Sequence, residues 1–150
     1  MTQDQNFAVI LAAGRGTRMK SDLAKVLHPI LGKPMVVHVV RAASEAALQP
    51  VVVVNHQEEQ VRSALGDLGV LFARQTETRG TGDAVASALD ALPAEGTVVV
   101  MAGDAPLVRT ETIAGLRQAH GSAAVTVLTA RVDDPAQYGR LVRTDGGLPA

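Results

Sequence analysis

Phe7-Ala-Val-Ile-Leu11 runs straight into Ala12-Ala-Gly14-Arg-Gly-Thr-Arg18-Met19, and Lys25 follows shortly after. The opening residues are apolar and β-prone. The residues after Leu11 lose bulk and gain cations. Small residues let a backbone come close to a ligand, and glycine tolerates the φ > 0 turns that aim successive N–H groups at an anion. Arg and Lys beside such a backbone suit phosphate. A strand that empties into this loop predicts α/β architecture with a site for a phosphorylated ligand, a nucleotide in the first place.

Two common phosphate loops fail on spacing. A Walker A loop needs G-x-x-x-x-G-K-[ST], and neither Gly-Lys-Ser nor Gly-Lys-Thr occurs. The dinucleotide fingerprint G-x-G-x-x-G would need glycine where Met19 stands, and a helix directly after it. The stretch Lys20 to Pro34 instead holds Ser21, Asp22, Pro29, Gly32 and Pro34, which predicts a long irregular loop. Arg15, Arg18, Lys20, Lys25 and Lys33 face one acid there, Asp22. A charge run alone is usually a solvated face; the small-residue strand exit is what makes this one a candidate site.

Working outward, apolar runs alternate with segments of helical period, the pattern of a mainly parallel sheet. Strands are expected over Phe7 to Leu11, Val51 to Val54, Val70 to Ala73, Thr97 to Met101 and Ala124 to Thr129. Valine-rich runs suit strands buried on both faces. Apolar stripes at three and four residues predict helices around Met35 to Ala43, Val61 to Leu68, Val85 to Leu92 and Ile113 to Ala119. Thr110 is a candidate cap for the last of these and Gly121 its end. Tyr138 to Arg143 reads as a strand leading to an Asp145-Gly146-Gly147 turn.

Composition narrows the class. The chain has 150 residues, the size of one domain, with 47% hydrophobic and 19% charged residues, so it is globular. A net charge of −1 gives no reason to expect nucleic acid or an anionic membrane. Aromatics are 2%, too few for a base-stacking platform. The absence of cysteine excludes disulfides and thiolate chemistry and fits a cytoplasmic setting. No apolar run nears the ~20 residues of a membrane span.

Ligands in open α/β sheets sit at the carboxyl ends of strands, and the polar residues cluster there. After the third strand, Gln75 offers a donor and an acceptor to an imide edge such as uracil. Gly80-Thr81-Gly82 can bring amides and a hydroxyl onto a ligand at a helix start; read more plainly, it is a turn with Thr81 or Asp83 as cap. After the fourth strand, Asp104 in Gly103-Asp-Ala-Pro-Leu107 is placed as a hard oxygen ligand for Mg²⁺, or as a turn aspartate. Tyr138 and Gly139 read as an aromatic plug beside a bulge glycine. His28, His38, His56 and His120 show no metal spacing and read as structural or surface residues.

The run Leu11 to Met19, with Lys25-Val-Leu-His28, Gly32-Lys-Pro-Met35, Gly80-Thr81, the Gly103-Asp104 motif and Asp134-Pro-Ala-Gln-Tyr-Gly-Arg140, resembles the sugar-phosphate nucleotidyltransferases. More narrowly, it is similar to the uridylyltransferase domains of bacterial bifunctional N-acetylglucosamine-1-phosphate uridylyltransferases/glucosamine-1-phosphate acetyltransferases. The resemblance covers about Ala8 to Arg143. It implies a three-layer Rossmann-like fold with a mainly parallel sheet, and a partial nucleotidyltransferase domain over 1–150, the C-terminal part of the family domain missing. It implies uridylyl transfer from UTP to N-acetylglucosamine 1-phosphate with Mg²⁺, in the cytoplasm, toward cell-wall precursors. Residue by residue, it implies catalytic roles for Arg18 and Lys25, and nucleotide binding by Leu11, Ala12, Ala13, Gly14, Gln75, Gly80 and Thr81. Gly139 would approach the sugar phosphate and Asp104 would hold the metal.

The chain also departs from the pattern. Thr78 stands where many members of the resembled family have a second glutamine, Asp83 where a histidine is common and Ala24 where a proline is usual. Ala24 predicts a looser loop before Lys25. Two rivals follow: a nucleotide-binding module without catalysis, or a nucleotidyltransferase of another base or acceptor, such as the molybdenum cofactor guanylyltransferases. A sheet left unfinished exposes an edge, through which copies can associate.

Overall fold

Valine-rich, β-branched runs pair through their edges, and helices packed on the sheet cover its faces. The computed structural model describes residues 6–14, 16, 19–55, 57–77, 79–136 and 138–142. Strand β1 (Phe7–Leu11) is followed by the short strands β2 (Pro29–Ile30) and β3 (Lys33–Pro34), helix α1 (Met35–Glu45), β4 (Gln49–Val54), α2 (Glu58–Leu65), β5 (Leu71–Arg74), α3 (Thr81–Ala86), β6 (Val98–Ala102) and α4 (Thr110–His120). The main sheet has the order β5-β4-β1-β6, and each neighbouring pair is parallel. Val9 of β1 stands opposite Val51 on one side and Val100 on the other.

Side chains alternate across a strand, and the two parities build two cores. Ala8, Ile10, Val52, Val54, Val99 and Met101 pack with the buried stripes of α1 and α2 and with Ile113 of α4. Phe7, Val9, Val51, Val53 and Ala73 face the other way, against Ala84 of α3 and Ala88 beyond it. Helix, sheet and helix form the three layers that the family resemblance implied.

The stretch before α1 is more ordered than an irregular loop. Residues Lys25–Leu27 form a 3₁₀ turn whose Val26 and Leu27 are buried. β2 and β3 then make a small antiparallel hairpin, turned by Leu31 (φ 50°) and Gly32 (φ 77°). Two successive positive φ values are the geometry that matches hairpin twist. Ala24 is buried at φ −53°, ψ 138°, so alanine holds the backbone shape a proline would impose.

Four expectations change. Ala124 to Thr129 is not a strand: it carries no ladder bonds, and Val125, Val127 and Leu128 are exposed. A cleft of about 840 Å³ separates it from β6. Strand-prone sequence needs a partner to become strand. Residues 138–142 also lack regular structure, and Arg143 with the 145–147 turn lies outside the described residues. The helix around Val85 to Leu92 stops at Ala86 and resumes only as a 3₁₀ turn, Leu89–Ala91. Pro93 follows, and a residue before proline is driven to extended backbone, as Leu92 is at φ −108°, ψ 150°. Thr110 does not cap α4; Arg109 takes the cap position, and the Thr110 hydroxyl donates to Glu45 Oε2 at 2.9 Å. Gly121 ends α4 at φ 51°, the residue type that conformation favours.

Candidate functional site

Because every main strand points the same way, their carboxyl ends share one rim. Bonds beyond the strands hold that rim together. Ala12 N–H donates to Val53 O at 2.9 Å, Gln75 N–H to Val54 O at 2.9 Å, and Gly103 N–H to Leu11 O at 3.0 Å. Leu11, Ala12, Ala13 and Gly14 therefore leave β1 between the exits of β4 and β6. Ala12 and Ala13 are buried, and Gly14 is exposed.

Gly103 explains how the third motif reaches the first. A Cβ on it would lie 2.8 Å from Leu11 O and 3.3 Å from Val26 Cγ1. Glycine is required here by close approach, since its φ is not in the left-handed region. Asp104 follows directly, and its carboxylate forms an ion pair with the Lys25 ammonium. Lys25 is held from below by the buried Val26 and Leu27. From above, Gly16 sits at φ 59°, where an added Cβ would lie 2.8 Å from Lys25 Cβ. Gly16, Lys25 and Asp104 thus meet at the ends of β1 and β6. The side chains of Lys25 and Asp104 are 45% and 30% exposed, open enough for both to exchange partners with a ligand.

Gln75 stands at the far end of the same rim, at the exit of β5. Three strand spacings, about 14 Å, separate that exit from β6. Gln75 is 3% exposed, the buried polar residue among those described. Its Nε2 donates to Asp83 Oδ2 at 2.7 Å and, more weakly, to Gly80 O at 3.4 Å. Gly80 (φ 119°) turns the chain into α3, and Gly80 and Thr81 are exposed on that rim.

Two residues fall outside this gathering. Arg18 lies outside the described residues. Gly139 is exposed in the irregular tail, and among the described residues no hydrogen bond or ion pair links it to Lys25, Asp104 or Gln75. Tyr138 is 70% exposed and plugs nothing. Of the histidines, His38 Nε2 meets Ile30 O and His120 Nδ1 meets Thr126 Oγ1, each at 2.9 Å; these are structural ties. His28 keeps its Nε2 buried without a partner among the described residues, and His56 lies outside them.

A family model described as the MobA-like NTP transferase domain matches residues 8–144. The chain belongs to this family. Among curated relatives, bifunctional protein GlmU of Bacillus mycoides is 52% identical over 145 residues, 94% of this chain and 31% of the relative. The same protein of Bacillus cytotoxicus matches equally, at 52% over 94% of this chain. The chain thus spans about a third of the length of these relatives. Among solved structures, Rv0371c of Mycobacterium tuberculosis superposes with TM-score 0.68 at 27% identity, over 81% of this chain and 63% of that one. A nucleotidyl transferase of Methanothermobacter gives 0.60 at 25% identity, over 77% and 58%. Rv0371c has also been solved with manganese.

Within the NTP transferase frame, two features escaped the sequence reading. Gly103 was part of a recognised motif, yet its steric role needs the Leu11 carbonyl on a neighbouring strand. Asp83 stood out as a replaced histidine and a candidate cap, not as a partner of Gln75; it makes no cap bond, eight residues separate it from Gln75, and the turn at Gly80 is what brings them together.

Proposed function

We propose that this NTP transferase domain binds a nucleoside triphosphate along the strand-end rim, base near Gln75 and phosphates near Lys25, and transfers its nucleotidyl group to a sugar 1-phosphate. UTP is the proposed donor and N-acetylglucosamine 1-phosphate the acceptor, giving UDP-N-acetylglucosamine and pyrophosphate in the cytoplasm. The observation that carries this reading is the meeting of Lys25 and Asp104 beside the glycine-rich exit of β1. The 52% identity to the GlmU relatives supports the choice of substrates.

The chemistry asks little of a base. A phosphate monoester is largely doubly ionised at neutral pH, since its second pKa is about 6. The obstacle is bringing two polyanions together and neutralising the charge that spreads at the α-phosphorus. Lys25, half-exposed beside Asp104, would sit between the reacting phosphates. The Gly14 backbone and Arg18 would hold the triphosphate tail, and Gly139 the sugar phosphate. Leu11, Ala12 and Ala13 would floor the nucleotide, while Gly80 and Thr81 would receive uracil and ribose.

The donor set around Asp104 fits Mg²⁺. Among the described residues no three acidic or histidine groups form a cage, and magnesium is commonly held by one or two carboxylates with phosphates and water completing its shell. Bound there, the ion would neutralise phosphate charge and orient the triphosphate. The manganese complex of Rv0371c supports use of a divalent metal.

Coupled detection of pyrophosphate tests the reading. Turnover with UTP, N-acetylglucosamine 1-phosphate and Mg²⁺ is expected. Turnover only with GTP or CTP would replace the substrates proposed. Nucleotide binding without any turnover would leave a binding module instead.

A further inference from the structure

The Gln75 side chain is buried between two acceptors. Its Nε2 faces Asp83 Oδ2 at 2.7 Å and Gly80 O at 3.4 Å, and both of these groups can only accept. Both amide hydrogens are therefore committed to the protein. Among the described residues no donor meets the other end of the amide, Oε1. Turning the amide over would set Oε1 against a carboxylate, which repels it. It would also leave a buried N–H pair unbonded, a heavy penalty in a low-dielectric site.

We infer that Asp83 is a positioning residue for base selection: it locks the Gln75 amide so that only its oxygen is offered to the nucleobase. The substrate class follows from the chemistry of base edges. An oxygen acceptor accommodates a base with a ring N–H on its Watson–Crick edge, the N3–H of uracil or the N1–H of guanine. Cytosine and adenine present a bare ring nitrogen there, and two acceptors face each other. A site that hydrogen-bonds its substrate rejects analogues lacking the matching group far better than an apolar pocket does. A neutral amide at position 83 can donate as well as accept, and so permits both orientations of Gln75.

This inference rests on the base lying at Gln75, as proposed above, and the tests separate the two. Kd values for UTP and CTP are measured with Mg²⁺ by calorimetry on the whole chain and on Asp83→Asn. The unsubstituted chain is expected to prefer UTP by at least about tenfold, and Asp83→Asn to bring the two within about threefold, mainly by tightening CTP, as a loss of ~0.7 kcal/mol of discrimination would do. A general loosening of the fold would weaken both nucleotides and leave their ratio in place. An unchanged ratio in Asp83→Asn, or equal binding by the unsubstituted chain, overturns the lock while the nucleotide site stands. Binding of neither nucleotide overturns the site reading and the lock with it. A second measurement needs no variant: the Gln75 side-chain amide protons, observed by NMR without ligand, should be protected from exchange. Rapid exchange of both overturns the lock whatever the nucleotides do.

Discussion

β1 and β6 are neighbours with similar sequences, Phe-Ala-Val-Ile-Leu and Val-Val-Val-Met-Ala, yet they live in different surroundings. β1 has a strand on each side and a helical layer on each face, and its first four residues are buried. β6 is one edge of the sheet and, among the described residues, is covered on one face only: Val99 and Met101 pack toward α1 and α4, while Val98 and Val100 look out. Apolar composition specifies that a run can be a strand. How many of its sides are covered depends on elements far away in sequence. The two strands agree only at their carboxyl ends, where both lead into the proposed site: the glycine-rich exit from β1 and Asp104 from β6.

The sharpest way to break this comparison is to change the shared end and leave both strands intact. Lys25→Ala is expected to lower kcat for nucleotidyl transfer by about 10²–10³-fold, the usual effect of removing one preorganised group that neutralises transition-state charge. Thermal melting should hardly move, because an ion pair this exposed contributes little to stability. Near-full turnover would remove Lys25 from the mechanism. A large loss of melting temperature would make the pair a structural brace instead.

Next in size is the joint between the strands. Gly103→Ala places a methyl 2.8 Å from the Leu11 carbonyl. Backbone cannot give as a flexible side chain does, so overpacking of about 1–3 kcal/mol is expected in urea unfolding. Turnover should also fall, since Asp104 is carried outward with the shift. A variant as stable as the parent would show that β1 and β6 are less tightly apposed at this end.

How much of this was legible beforehand follows the same division. Strands from Phe7, Val51, Val70 and Thr97 were readable to within about two residues, because short apolar, β-prone runs between helical stripes mark strands whether one face or both become covered. Helix α1 was equally plain from Met35, Val36, Val39, Val40 and Ala43. Lys25 and Asp104 could be singled out by motif, but their contact depends on β6 lying beside β1, and periodicity does not encode strand order. Ala124 to Thr129 misled for the converse reason: its β-propensity is real, and the ladder that would realise it is absent. Asp83 was invisible as a partner because a turn, and no helical or strand period, joins it to Gln75.

The smallest effects are expected from a matched pair in the middle of the strands. Val9 and Val100 are register partners, so their side chains point to the same face of the sheet, yet Val9 is 0% and Val100 is 47% exposed. Valine to threonine keeps the β-branched shape and adds one hydroxyl. At Val9 that hydroxyl enters a dry core among Phe7, Val51 and Val53, and an unsatisfied buried polar group is expected to lower stability by about 1–3 kcal/mol. At Val100 the hydroxyl meets water, and the change should stay within about 0.5 kcal/mol. Urea unfolding of both variants measures the contrast. Equal losses would mean that the open face of β6 is covered in solution, and the division between interior and edge strand would then belong to the isolated chain alone.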